Sequence, residues 1–222
     1  MKTSTDSKAG TLAVSLANSL ALIPGNTSPL VIGGLIAGLG LGFADSGLVL
    51  SCELLFMGIT ATLMATQMTR INARNATLLG AMMLLLGHGL AATSDNIKDL
   101  LVWRSIAGIG GGAVLASVNA SIAASPNPAR LYGIAHMAPP LIGSLVAFLM
   151  SRAIATSAHT GAYGILAVLT LLIIPVMIVF PDYRTKNLPT KAKALQNYGP
   201  GLALLLGIFI TDGRHDGAFC LC

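Results

Sequence analysis

Residues 100–119 constrain the fold of this chain more than any other stretch. The segment LLVWRSIAGIGGGAVLASVN is apolar enough, and long enough at about 20 residues, for a helix that crosses a bilayer. It nevertheless carries Arg104 about one and a half turns inside its first end. A charge at that depth is costly and is kept mainly where it faces a protein interior or a watery cavity. The stretch predicts a membrane helix with a polar inner face, the alternative being an arginine that reaches the headgroups.

The same helix offers a smooth surface to a neighbour. Gly108 and Gly112 form a GxxxG pair, which lets a second helix approach closely. Asn119 lies four turns further along, on roughly the same side as Arg104, and is a candidate substrate contact. A polar face and a packing face on one membrane helix suggest a transport pathway.

The composition bounds the class of protein. Of the 222 residues, 54% are hydrophobic and 9% charged, against about 25% charged in soluble domains. So little charge cannot cover a surface that faces water, so the chain is predicted to be a polytopic membrane protein. The net charge of +5 is spread over short loops, so no nucleic-acid partner is expected. No HExxH, GxSxG or phosphate-loop motif occurs, so no enzyme activity, cofactor or metal site is expected.

Hydropathy predicts six spans and a partial seventh. The six cover residues 11–35, 47–67, 76–92, 100–119, 131–151 and 161–180. The basic start before the first span could belong to a secretory signal, but the lack of a clean cleavage site favours a retained helix. The apolar run after residue 198 has about a dozen residues, fewer than the ~20 that a helix needs to cross.

The first span is interrupted. Pro24, Gly25 and Pro29 break the apolar run, and Asn26 lies among them. Broken, polar backbone is tolerated at membrane depth where it lines a cavity, so Asn26 is a second candidate for the pathway. The alternative is a simple kink whose hydroxyl groups bond back to the helix.

The second span contains an acid. Asp45 or Ser46 is predicted to cap its first turn, and Glu53 lies seven residues further, ~10 Å in at 1.5 Å per residue. Arg104 lies at a similar depth in a helix entered from the same side. Because charges inside membranes commonly pair, an ion pair between the two is predicted. The alternative is a lone, protonated Glu53.

The run RSIAGIGGG resembles the fourth helix of the major facilitator superfamily, where an arginine is followed by a glycine-rich stretch. Arg104, Gly108, Gly110 and Gly112 match that pattern. The resemblance implies that Arg104 is the functional residue of its helix.

Two further segments carry the resemblance in a weaker form. In the loop ATQMTRINARNAT, Arg70 and Arg74 match the basic residues of the family's gating loop, although threonine stands where the family has aspartate. The fifth span, GIAHMAPPLIGS, resembles the motif of the antiporter branch through Pro139 or Pro140 and Gly143, which are expected to act in helix packing. His88 and His136 are predicted to be packed or hydrogen-bonded histidines rather than proton carriers.

The resemblance implies an all-α fold, namely the six-helix N-terminal half of a transporter. Residues 1–181 would form the bundle, residues 182–198 a basic cytoplasmic connector, and residues 199–222 the truncated start of a second half. The chain would then be a fragment, a product of premature termination or of a frameshift, or half of an assembly with another chain. The abrupt change to DGRHDGAFCLC in mid-helix favours truncation.

Basic residues set the expected orientation. They concentrate in the N-terminus, the 65–77 loop and the connector, whereas the outer loops hold Lys98 and Arg152. The positive-inside rule therefore puts the N-terminus and the connector in the cytoplasm, and the protein in the cytoplasmic (inner) membrane.

The resemblance and this layout together imply a secondary transporter of a small solute, coupled to protons. Its expected partners are the lipid bilayer, a small-molecule substrate, protons, and a C-terminal half or a second copy. The rival interpretation is a non-transporting membrane subunit that binds a partner protein.

Overall fold

The computed structural model describes residues 7–181, and this part of the chain is mainly helical, with short loops and no strand. The helices are α1 (Lys8–Asn26), α2 (Ser28–Leu39), α3 (Phe43–Gln67), α4 (Ala73–Ala92), α5 (Ile97–Ala123) and α6 (Pro128–Met177). The all-α prediction is confirmed. The predicted connector and the start of the second half lie outside the described residues.

Helices α3, α4, α5 and α6 are each long and apolar enough to cross a membrane, and α1 with α2 makes a fifth span if the bent pair counts as one. The chain is therefore a polytopic membrane protein. The exact number of six crossings stays a prediction.

The break in the first span lies at Thr27, where α1 and α2 meet at 52°. Thr27 donates its hydroxyl hydrogen to the Ile23 carbonyl oxygen at 2.9 Å, and Ser28 donates to that of Gly25 at 2.5 Å. Pro29 stands in the first turn of α2, where its missing N–H costs nothing. The hydroxyl groups thus bond back to the helix, as in the simple-kink interpretation.

Helix α6 folds back on itself. A straight helix of its 50 residues would be about 75 Å long, well over twice the hydrocarbon thickness. Ser157 and Ala158 leave helical geometry, and Ala158 has a φ of 48°. Gly161 lies against the Ala153 backbone, although residues eight apart in a straight helix are separated by about 12 Å. Residues 128–156 and 159–177 are called the first and second arms of α6 below.

Helix α5 forms the centre of the described bundle. It packs most extensively against α3 and α4, while α6 packs against α1, α2 and α4. The loops at 40–42 and 93–96 and the α6 turn lie at one end, called here the predicted outer end. The start of α1, the 68–72 loop and the start of α6 lie at the other, the predicted inner end.

Two boundary predictions for α3 are wrong. The helix begins at Phe43 with Gly42 as its N-cap residue, so Asp45 lies inside the first turn and Ser46 is buried. Neither side chain caps the helix. Hydropathy missed the start of the helix because the polar residues of the ADS segment lie within the first turn. An acidic side chain there interacts favourably with the positive end of the helix dipole.

The loop after α3 is also shorter than the predicted 65–77. It spans residues 68–72, and Asn72 caps α4 by accepting from the backbone N–H groups of Arg74 and Asn75.

Candidate functional site

The structure brings Arg104 and Glu53 together in an ion pair between α5 and α3. The side chains are 1% and 6% exposed, so both charges are withdrawn from solvent and lipid. Glu53 reaches α5 because it belongs to the narrow buried strip of α3, which also contains Ser46, Val49 and Leu50 at helical spacing.

His88 joins the pair from α4. Its Nδ1 lies 2.7 Å from Nη1 of Arg104, and the ring is 1% exposed. A guanidinium group has donors and no acceptor, so Nδ1 must accept the hydrogen bond. His88 is therefore a neutral histidine with its proton on Nε2. It is a hydrogen-bonded residue, and its partner is Arg104.

Tyr163, from the second arm of α6, completes the cluster. The Arg104 Cζ atom lies 4.9 Å from the centre of the fully buried Tyr163 ring, within cation–π range. The Tyr163 hydroxyl group and Arg104 Nε have no hydrogen-bond partner among the described residues. No sequence pattern pointed to Tyr163, since an isolated tyrosine in an apolar span carries no signal of its neighbour. We call Glu53, His88, Arg104 and Tyr163 the charge cluster.

The glycines beside Arg104 explain how α3 and α4 come this close to α5. A Cβ at Gly108 would overlap the Glu53 carbonyl oxygen, and one at Gly112 would lie 2.5 Å from the Met57 carbonyl oxygen. Both glycines therefore face α3. Gly110 faces α4, where a Cβ would lie 2.5 Å from the Gly80 carbonyl oxygen. Small residues on two faces of α5 thus allow both partner helices to touch its backbone.

Pro139 is buried and takes part in a contact that the sequence did not reveal. Proline at 139 has no N–H, so the Ala135 carbonyl oxygen loses its usual partner within the helix. Asn18 of α1, itself fully buried, donates its side-chain N–H to that oxygen at 2.9 Å. A Cβ added at Gly143, one turn further, would meet Ile23 of α1 at an ordinary van der Waals distance of 3.9 Å.

The two candidate asparagines do not belong to the buried charge cluster. Asn119 is exposed, 15 residues or about 22 Å beyond Arg104 along α5. Asn26 is the exposed last residue of α1.

The two candidate gating arginines differ from each other. Arg70 is exposed in the 68–72 loop. Arg74 donates from Nε to the Phe180 carbonyl oxygen at 2.8 Å, just beyond the end of α6. Carbonyl groups at a helix C-terminus lack partners within the helix, so Arg74 ties the start of α4 to the end of α6.

No protein-family model matches the chain, and no curated protein matches it by sequence. Solved structures do resemble it. A peptide transporter POT in complex with sulfate superposes with a TM-score of 0.63 at 16% identity, over 96% of this chain and 49% of the other. A POT family transporter in complex with a thioalcohol-conjugated peptide gives 0.62 at 18% identity, over 91% and 45%. The chain thus shares its fold with these transporters and spans about half their length.

Proposed function

We propose that this chain is the N-terminal half of a secondary active transporter for a small solute, coupled to protons. The observation that carries the proposal is the charge cluster. A carboxylate, a guanidinium group and a neutral imidazole meet inside an apolar bundle that shares its fold with half of a transporter. Ionisable groups at such positions are expensive to bury and typically mark ion or substrate pathways.

The geometry suggests how a proton would act. A proton on Glu53 removes the negative partner of Arg104, and a second proton on His88 places N–H against N–H at the 2.7 Å contact. Either event releases Arg104 from one partner. The facing groups are Glu53 on α3, His88 on α4, Arg104 on α5 and Tyr163 on α6, so one proton would alter contacts among four elements.

The proposed architecture follows from the same fold. The two arms of α6 would be the fifth and sixth crossings, with the N-terminus and the 182–198 connector in the cytoplasm and the protein in the inner membrane. Residues 199–222 would begin a second half. That half, or a second copy, would supply the opposite wall of the pathway, because alternating access needs two units that rock against each other.

Flux measurements on liposomes test this function. The similar structures are those of peptide transporters, so labelled dialanine is the first probe, followed by a panel of amino acids and sugars. We expect the purified chain alone to give no flux. When it is combined with the six-helix half that we propose follows it, the chain should give flux that an imposed pH gradient increases.

Arg104→Met should abolish this flux and Arg152→Met should not. Flux from the monomeric chain alone would contradict the half-transporter, and flux indifferent to the pH gradient would contradict proton coupling.

Labelling tests the orientation independently. Cysteines introduced at Thr5 and Thr190 should be protected in intact cells from an impermeant thiol reagent and become reactive after permeabilisation. Reaction at either position in intact cells would reverse the assignment.

A second candidate, the non-transporting subunit, is favoured by one observation. The charge cluster is closed within the bundle, with each of its charged side chains almost fully buried, as a purely structural network would be. In that case Arg104→Met combined with Glu53→Gln would leave partner binding intact and no flux would be found with any probe. In a transporter the same double variant would assemble and lose flux.

A further inference from the structure

A groove at the predicted inner end is separate from the charge cluster. It has a volume of about 560 Å³ and lies between the start of α1 and the first turns of α6. Its walls include two basic residues and a set of apolar ones, among them Lys8, Arg130, Leu12, Ile134, Met137 and Leu141.

One end of the groove is electropositive. Lys8 and Arg130 are both exposed, and neither forms an ion pair with an acidic residue of the described range. Each stands in the first turn of a helix, α1 or α6, so the partial positive charges of two helix N-termini add to theirs. Among the described residues that line the groove, none is acidic. This end therefore favours an anion.

Apart from Thr11, Ser15 and Asn127, the rest of the groove is lined by apolar residues and leads away from the charges. Ile134, Met137 and Leu141 follow one face of α6 at helical spacing, which covers about 10 Å along the axis. Leu12 lies on the α1 side. Met137 and Leu141 are 65% and 71% exposed among the described residues, although both are large and apolar.

From this charge complementarity we propose that the groove binds an anionic phospholipid of the inner leaflet. The phosphate group would lie between Lys8 and Arg130, and one acyl chain would run along Ile134, Met137 and Leu141. Basic pockets between helices at the cytoplasmic side are suited to anionic headgroups. A free anion would bind Lys8 and Arg130 and leave the apolar wall uncovered. A zwitterionic lipid would pack against the apolar wall but gain little from the two basic side chains.

Native mass spectrometry of the full chain in detergent tests the affinity. The probes are dioleoyl phosphatidylglycerol, dioleoyl phosphatidylcholine and inorganic phosphate. We expect selective retention of phosphatidylglycerol, weakened about fivefold by Lys8→Gln or by Arg130→Gln and roughly 25-fold by both. The matched control, Lys98→Gln with Arg152→Gln, removes two basic residues from the predicted outer side and should leave retention unchanged. The pair Lys8→Arg and Arg130→Lys should keep the selectivity.

Each of three outcomes would overturn the proposal. Equal retention of the two lipids would show that the cations play no part. Displacement of phosphatidylglycerol by equimolar inorganic phosphate would show a free-anion site. An equal loss in the control variant would show a general effect of charge.

Fluorescence quenching tests the location. The chain has one tryptophan, so Ile134→Trp in a Trp103→Phe background reports on the groove alone. In vesicles of phosphatidylcholine with one fifth phosphatidylglycerol, bromine on the phosphatidylglycerol chains should quench more strongly than the same mole fraction of bromine on phosphatidylcholine. The difference should disappear with Lys8→Gln and Arg130→Gln. Equal quenching by the two brominated lipids, with Lys8 and Arg130 still present, would overturn the proposal. Quenching that falls as protein density rises would also overturn it, since a second copy would then cover the groove.

Discussion

Helices α3 and α5 contribute the two halves of one ion pair and yet differ in nearly every other respect. In an apolar stretch of 18 residues within α5, 67% of the residues are buried, whereas 17% are buried in the corresponding stretch of α3. Helix α5 contacts its neighbours through glycine and alanine, whereas α3 exposes large apolar side chains such as Leu55 and Leu63. The comparison shows that a helix can be central because its residues are small.

The difference also explains where the charges lie. Small residues on α5 bring the backbones of α3 and α4 within contact of it, which leaves no room for lipid around Arg104. The arginine is then surrounded by protein groups that can bind it. On α3, a single buried strip suffices to deliver Glu53, and the remaining surface is free to face lipid or another protein.

The largest expected effect comes from breaking the ion pair that joins the two helices. Arg104→Met and Glu53→Gln each leave the partner buried without compensation, which typically costs about 3–5 kcal/mol, whereas replacing both is much milder. Unfolding of the purified chain in mild detergent should show this, with the double variant recovering much of the loss in a double-mutant cycle.

Arg70→Met is the matched control because Arg70 is exposed, and it should stay close to the parent protein. Strictly additive losses for Arg104 and Glu53 would mean that the two residues act separately despite their contact.

A smaller effect should follow from adding one carbon atom to the contact face of α5. Gly112→Ala places a Cβ 2.5 Å from the Met57 carbonyl oxygen of α3 and 2.8 Å from the Thr60 Cβ, so the helices must separate. Overpacking of this kind costs about 1–3 kcal/mol. Thermal unfolding measures it.

Gly111→Ala is the matched control on the same turn, because its Cβ would meet Met57 at an ordinary 3.5 Å. If the two variants unfold alike, close contact with α3 does not decide the stability of α5.

Sequence patterns predicted the long apolar helices and the break in the first span, because both follow from hydropathy and from the chemistry of proline. They also offered the Arg104–Glu53 pair as one of two alternatives, since a charge in a membrane needs a partner. Sequence patterns could not identify Tyr163, which contacts Arg104 although the two residues are 59 positions apart in sequence. Where most residues of each helix are apolar, the shapes of the side chains decide which faces of two helices pack together. The sequence then shows little periodic pattern that would reveal the contact.

The third effect concerns the contact between α1 and α6. Asn18→Ala should cost about 1–3 kcal/mol, since it leaves the Ala135 carbonyl oxygen buried without a partner. Pro139→Ala restores an N–H four residues after Ala135, so it should rescue the Asn18→Ala variant in the same unfolding assay. A rescue that Pro140→Ala matches would show instead that removing any proline from this helix stabilises it.

The smallest effect should come from removing the hydroxyl group of Tyr163, and the contribution of its ring can be measured separately. Tyr163→Phe keeps the ring over Arg104 and removes a hydroxyl group that has no partner among the described residues, so the free energy of unfolding should change by less than about 0.5 kcal/mol. Tyr163→Leu also removes the cation–π contact, worth about 2 kcal/mol in a desolvated site, and should be clearly less stable.

In the Arg104→Met background, the gap in stability between the Phe and Leu variants of Tyr163 should shrink, because no cation remains above the ring. An unchanged gap would assign the preference to packing volume, and a large loss for Tyr163→Phe alone would mean that the hydroxyl group does bind within the charge cluster.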